Sequence, residues 1–233
     1  HDSPMQIEII ADITCPWCFV GLKRLRIALE QRHEVPTTIL WRPFLLNPDL
    51  QNGTIDRLPY LSRMFGSESR IQQFYEAIDS AGLTTGIPFS PDVDFTPSSI
   101  NAHRLISLAK STGQHAQVAE EIFYAYFVDG RDIADIGVLS AIAAETGMDS
   151  SSVQTFLSSD EARDSVFEEN ARIHRLGING VPSFVIANNH VVSGAQEVQT
   201  LVHILDFATR TEGLGADGPA MTTTMLSHGV GMP

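Results

Sequence analysis

Ile7-Glu8-Ile9-Ile10-Ala11-Asp12-Ile13-Thr14-Cys15-Pro16-Trp17-Cys18 is the stretch from which the rest of the chain is read. Ile7 to Ile13 is an apolar run of strand length, and Phe19 to Arg32 reads as the body of a helix opening near Cys15. The only two cysteines in 233 residues therefore stand where a strand ends and a helix begins. The first turn of a helix leaves backbone N–H groups unpaired and carries a partial positive charge, so a thiolate is favoured over a thiol at Cys15. Cys18 follows one turn later on the same face, within reach of the first sulfur. Cys15 is expected to be the exposed, attacking sulfur and Cys18 the less exposed, resolving one. Pro16 fits a first turn, where a missing N–H costs nothing, and Trp17 adds a flat apolar surface beside the sulfur.

A C-x-x-C pair has four readings: a redox dithiol, a structural disulfide, half of a zinc site, or two packing cysteines. A three-residue separation closes too small a loop to stabilise much. Zinc wants four ligands, no other cysteine exists, and no H-x-x-x-H type cluster of histidines follows. The pattern favours the redox dithiol and implies no metal.

The composition sets limits on partners. Twenty-eight acidic against fifteen basic residues give a net charge of −13, which argues against nucleic acid and anionic membrane surfaces. An apolar content of 43% is ample for a core, and no apolar run reaches the length of a membrane-spanning helix. No secretory leader precedes Met5, and His1 reads as the remnant of a tag or junction. A chain without cysteines beyond the C-x-x-C pair fits a reducing compartment, so a cytoplasmic location is expected.

Leu22, Leu25 and Leu29 give the first helix a core-facing stripe. Thr37 to Leu46 is a second strand, with Pro43 marking its end or an edge, so the opening reads as a right-handed βαβ unit. Turn signals follow at Asn47-Pro48-Asp49, Asn52-Gly53 and Leu58-Pro59, then a helix over 69–83 and a proline-rich loop to Pro97. Four further helices run to Leu176, the last opened by a capping box at Ser158-x-x-Glu161, with a short helical turn at 150–157. This block holds no convincing strand. Ser183 to Ala187 and His190 to Gly194 are strands around an Asn188-Asn189 tight hairpin, and Glu197 to Arg210 is the closing helix. The fold class is thus α/β. A discontinuous domain of residues 5–48 and 177–210 carries an inserted helical domain, 49–176, and residues 211–233 form an extended tail that hints at contact with a second copy.

Gly180-Val181-Pro182-Ser183-Phe184 stands just before the third strand. Together with Ala11-Asp12-x-x-Cys15-Pro16-Trp17-Cys18-x-x-Gly21, Trp41-x-Pro43-Phe44-x-Leu46-Asn47-Pro48 and Asn101-Ala102-His103-Arg104-Leu105, it resembles the DsbA-like thioredoxin-fold family over residues 5–210. Within that family the likeness is to the FrnE-like branch, which groups with 2-hydroxychromene-2-carboxylate isomerases and kappa-class glutathione transferases. The resemblance implies a thioredoxin fold with a large all-helical insertion between its βαβ and ββα halves. It also implies a cis Val181–Pro182 peptide packed against the dithiol. Pro182 would keep metal ions off the sulfurs, and the Val181 backbone would seat a substrate segment as an added strand. The catalytic set is then Cys15, Cys18 and Pro182, with Pro16, Trp17 and Val181 as substrate-binding residues.

Two departures from the family pattern matter. Thioredoxin and DsbA carry a buried acid six residues before the first cysteine, where this chain has Ile9; Asp12 is the candidate proton relay in its place, with a turn or cap role as the alternative. Trp17 replaces the histidine of DsbA and adds no positive charge, which predicts a weaker oxidant. His103 and Arg104 read as a solvated or capping pair, with one of them facing the cleft as the alternative, His174 and Asn170 as outside the site, and Trp41 and Phe44 as core or groove lining. The expected function is thiol–disulfide exchange on protein disulfides or small disulfides, with no resident cofactor and with glutathione as a candidate co-substrate. The alternative is a glutathione-dependent isomerase or transferase, against which the paired cysteines argue. A thiol-based chaperone is a third reading.

Overall fold

The structure, a computed structural model, describes residues 3–212. The readings made for His1 and for the tail beyond residue 212 lie outside the described residues. Strand β1 (Met5–Ala11) is followed by helix α1 (Pro16–Glu30) and strand β2 (Thr37–Pro43), which pairs with β1 in parallel from Met5↔Thr37 to Ala11↔Pro43. Strands β5 (Ser183–Ile186) and β6 (His190–Ser193) extend the sheet on the other side of β1, both antiparallel to their neighbours, in the order β2-β1-β5-β6. The strand bearing Asp12 at its end is thus central, which explains its apolar run: Ile7, Ile9, Ile10 and Ala11 are all buried. Pro43 closes an edge strand, where its missing N–H leaves no gap in the ladder. Helix α9 (Val198–Glu212) packs on α1; it outruns the expected end at Arg210 and takes the first two residues of the expected tail.

Between the two halves lies the insertion: α2 (Arg57–Phe65), α3 (Glu68–Thr85), α4 (Ile100–Ala109), α5 (His115–Phe127), α6 (Ile136–Glu145), α7 (Ser150–Ser158) and α8 (Arg163–Arg175). It is helical apart from one short ribbon, β3 (Thr54–Asp56) paired antiparallel with β4 (Phe95–Pro97), two strands too short to carry a periodic signal. Helix α2 spans the Leu58-Pro59 pair that reads as a turn. Pro59 falls in the first helical turn, where no backbone N–H is required. Residues 150–158 form a full helix, capped by the Asp149 carboxylate on the Ser152 N–H.

Two local expectations fail for visible reasons. Ser158 does not open a helix with Glu161; it ends α7, and α8 begins at Arg163 behind Ala162, which sits at φ 63°. The buried Arg104 guanidinium causes the break, gathering the carbonyls of Phe156, Leu157, Ser159 and Glu161 around itself so that the chain must turn there. The hairpin is not a two-residue Asn188-Asn189 turn either. Ile186 pairs with His190, and the left-handed residues are Ala187 (φ 53°) and Asn188 (φ 66°). Ala187 adopts this strained conformation while its N–H still bonds to the Gln6 carbonyl of β1 (2.9 Å).

The main apolar core runs through both halves, with a small separate cluster of Leu45, Ile100 and Val166 beside it. At its centre, Phe19 of α1 stacks on Phe123 of α5 (centroids 5.1 Å apart, planes 6° apart) and meets Phe89 and Tyr124 edge-on. No helix among the described residues is long and apolar enough to cross a membrane.

Candidate active site

Cys15 is the residue that caps α1, in extended conformation (φ −95°, ψ 112°), with Pro16 as the first helical residue. Its N–H donates to the Asp12 carbonyl (3.2 Å), and its own carbonyl accepts from the Cys18 N–H (3.0 Å). These two bonds fold the strand end over the helix start and bring both thiols, unbonded, to one place. Both cysteines are 0% exposed, so the expected contrast between an open attacking sulfur and a covered resolving one is absent. Burial pushes the Cys18 thiol well above its ordinary value. The hydrogen bond to Cys15 and the charge there act in the same direction; the Asp12 amide opposes them and the Asp12 carboxylate adds to them.

The Val181–Pro182 peptide bond is cis. Its loop is braced by the Gly194 N–H on the Pro182 carbonyl (2.8 Å) and by the Ser183 hydroxyl on the Gly180 carbonyl (2.8 Å). Pro182 presses on α1 where Gly21 removes the side chain: a Cβ there would lie 3.1 Å from Pro182 Cγ and 3.2 Å from Phe184 Cζ. Gly21 lies one turn beyond Cys18, so this contact sets the height of the proline over the helix that bears the dithiol.

Asp12 is 1% exposed and is held from two sides. Its Oδ2 accepts the Leu46 N–H (2.8 Å), and its Oδ1 lies 3.1 Å from His103 Nε2. His103 Nδ1 in turn accepts the indole N–H of Trp41 (3.1 Å). His103, Arg104 and Trp41 are all buried, so neither His103 nor Arg104 is solvated. His103 faces the Asp12 carboxylate, whereas Arg104 is structural, bonded to Asn101 Oδ1 and to four carbonyls. Asn170 and His174 stand outside the site, yet they prop it. Asn170 Oδ1 accepts the Leu45 N–H (2.8 Å) and His174 stacks on Phe44 at 4.7 Å, fixing the segment whose next amide reaches Asp12.

Trp17 is partly buried, and its indole Nε1 is buried without a hydrogen-bond partner. On the insertion side, Pro16 forms one wall of a cleft of about 610 Å³ whose apolar surface comes from Phe74, Tyr75, Phe89 and Phe127. Arg57 sits at its side, its guanidinium about 5.8 Å from the Tyr126 and Phe127 rings and bonded to the Val93 carbonyl. Tyr60 is close enough to feel the dithiol: burial raises its phenol, the Asn47 amide opposes this, and the charges of Asp12 and Cys15 add to it. Among the described residues, no group of three or more His, Cys, Asp or Glu side chains gathers as a metal site.

The sequence motifs pointed to Cys15, Cys18, Pro182 and Asp12, and left His103 with two readings, of which the structure shows a buried residue facing Asp12. His103 stands 91 residues from Asp12 and 62 from Trp41, a distance no periodicity bridges. The signal available was a histidine beside the apolar stripe Ala102, Leu105, Ile106 and Ala109 of α4. A buried imidazole there must find polar partners on both nitrogens.

Known proteins share this fold. The probable DsbA oxidoreductase SCO1869 from Streptomyces coelicolor is 28% identical, with a TM-score of 0.81 over 93% of this chain and 94% of that one. The fold also recurs in a 2-hydroxychromene-2-carboxylate isomerase (16% identity, TM-score 0.64, 91% and 100% covered). The cytosolic disulfide reductase DsbM from Pseudomonas aeruginosa, solved with GSH, has it too (20%, 0.60, 90% and 98%). The family model described as DSBA-like thioredoxin domain matches residues 6–206, nearly the whole of the described chain. By fold and by sequence, the chain belongs to the DSBA-like thioredoxin domain family.

Proposed function

We propose that the protein is a thiol–disulfide oxidoreductase working through a mixed disulfide at Cys15. The Cys15 thiolate attacks one sulfur of a substrate disulfide, the second sulfur leaves with the bonding electrons, and Cys15 becomes joined to the substrate. Cys18 then loses its proton and attacks the Cys15 sulfur. The substrate leaves as a thiol, reduced by two electrons, and a Cys15–Cys18 disulfide remains. The reverse sequence oxidises a dithiol. Two thiols such as glutathione reset the pair in succession and leave joined as a disulfide, and neither metal nor organic cofactor is required.

One observation carries this reading: two unbonded thiols at the N-terminus of one helix, with a cis-proline loop over that helix and a buried carboxylate behind it. Val181 offers backbone to an extended client segment, the unpaired Trp17 indole N–H suits a client carbonyl, and the aromatic cleft beside Pro16 suits the client's apolar flank. Because both sulfurs are covered, client binding must displace the cover locally before exchange. Clients are disulfide- or thiol-bearing proteins, or glutathione itself, and the compartment is the cytoplasm. The lack of structural disulfides and the cytosolic disulfide reductase of like fold support that location. An isomerase or transferase of the same fold would not need Cys18, and nothing in the site favours that reading over exchange.

The test is insulin reduction driven by glutathione. The wild type should precipitate insulin chains and Cys15→Ser should not. Undiminished reductase activity in Cys15→Ser would end the proposal.

A further inference from the structure

A covered Cys18 thiol that resists ionisation needs a base at hand, and among the described residues the buried Asp12 is the carboxylate whose backbone bonds to Cys18 and whose charge acts on it. What holds that carboxylate is not a cation. The hydrogen-bond chain has a fixed direction. A tryptophan indole only donates, so His103 Nδ1 must carry a lone pair. The imidazole proton then sits on Nε2 and points at Asp12 Oδ1. A second proton on Nδ1 would face the indole N–H at 3.1 Å, donor against donor. The imidazole is therefore locked as a neutral donor and cannot pass a proton through itself.

We infer that His103 and Trp41 are positioning residues for the resolving step: Trp41 fixes the imidazole tautomer, and His103 holds Asp12 as the base that takes the proton of Cys18. The inference rests on the exchange reaction proposed above. In that step the Cys18 S–H proton passes to the Asp12 carboxylate, the Cys18 sulfur forms a bond to the Cys15 sulfur, and the Cys15–substrate bond breaks with its electrons on the leaving thiolate. Asp12 returns the proton when the dithiol is regenerated. The groups around this set are Cys15 and Cys18 on α1, the Leu46 amide, Tyr60 on α2, and Trp41 on β2. Arg42, Lys110 and Glu169 line a cavity of about 140 Å³ on the far side of His103 and Trp41. Arg42 and Glu169 are already bonded to each other (3.0 Å).

The two chemical steps separate with 5,5′-dithiobis(2-nitrobenzoate). Attack by Cys15 releases one equivalent of chromophore and leaves a mixed disulfide; resolution by Cys18 releases a second. His103→Leu removes the donor that holds the Asp12 carboxylate in place, and the second phase should slow about tenfold or more, because a misplaced reacting group is costly. His103→Gln keeps an acceptor for Trp41 and a donor for Asp12 and should restore most of that rate. Trp41→Phe removes the donor that keeps Nδ1 unprotonated, so its second phase should gain a loss of rate on acidification that the wild type lacks. An imidazolium would then stabilise the carboxylate and weaken it as a base. A merely structural role predicts that both phases slow together in His103→Leu and that Trp41→Phe keeps the wild-type pH profile; that result overturns the inference. A wild type that releases no chromophore at all would instead overturn the exchange reaction itself.

Discussion

Gly21→Ala probes the contact that fixes the cis-proline loop over the redox helix. The added methyl would lie 3.1 Å from Pro182 Cγ and 3.2 Å from Phe184 Cζ. Carbon atoms in comfortable contact stand about 3.5–4.0 Å apart, so the loop or the helix must yield by roughly 0.3–0.4 Å or more. Neither neighbour is the end of a flexible chain. Pro182 is a ring in a braced loop and Phe184 is fully buried in β5. Overpacking of this kind costs about 1–3 kcal/mol. Alanine in a helix interior returns about 1 kcal/mol over glycine. The net destabilisation is therefore between about 0 and 2 kcal/mol, or up to roughly 8 °C in melting temperature for a chain of this size. Activity should suffer more than stability, because the displacement falls between Pro182 and the cysteines. We expect insulin reduction to drop at least about fivefold, since small misplacements at a reacting centre are costly. Thermal melts and the insulin assay on one preparation give both numbers. A Gly21→Ala protein that is more stable by about 1 kcal/mol and fully active would show helix propensity acting alone and would refute the contact.

Further outcomes follow from buried polar groups away from the dithiol. Arg104 uses all five of its N–H donors on Asn101 and four carbonyls, so Arg104→Lys leaves at least two acceptors unserved. The loss should be about 3 kcal/mol, read as a melting temperature lower by about 6–12 °C; an unchanged melt would mean the α7–α8 turn is held by something else. Tyr126 is pushed up to about 12 from 10.0, chiefly by burial, while its hydroxyl donates to the Phe95 carbonyl (2.6 Å). The unfolded chain releases this proton near pH ~10 and the folded chain holds it, so stability is full below that pH and falls as pH rises towards 12. The loss from this group reaches about 2 kcal/mol at the upper end, and Tyr126→Phe should flatten the alkaline limb of a denaturant–pH series. A limb that Tyr126→Phe leaves as steep would assign the effect elsewhere.

Much of the fold could be read from local pattern. The stripe of Leu22 and Leu25, the buried run of β1 and the alternation ending in Trp41 and Pro43 all follow from burial on one face or two. Chemistry at the motif level was legible too, because C-P-W-C at a helix start and a proline before a strand each have few uses. What escaped depends on partners distant in sequence. Ser158-x-x-Glu161 satisfies the rule for a helix start, but Arg104, more than fifty residues earlier, claims the carbonyls of that segment. Leu58-Pro59 looks like a turn because proline is common there, and only a helix beginning at Arg57 makes it a first-turn residue. The burial of Cys15 was hidden for the same reason, since exposure is set by the rest of the chain and not by the motif.

Phe19 sits on the redox helix, but its ring is wrapped by Phe89, Phe123, Tyr124 and Phe127, all from the insertion. The inserted segment is therefore no detachable cassette. A chimera that grafts Cys15–Cys18 and its helix onto a minimal scaffold would leave an aromatic plug without a socket. Trimming the insertion would strip the cover from Phe19, the residue that follows Cys18. Any transplant of this redox centre has to move the two pieces as a unit, and sequence drift in one is constrained by the shape of the other.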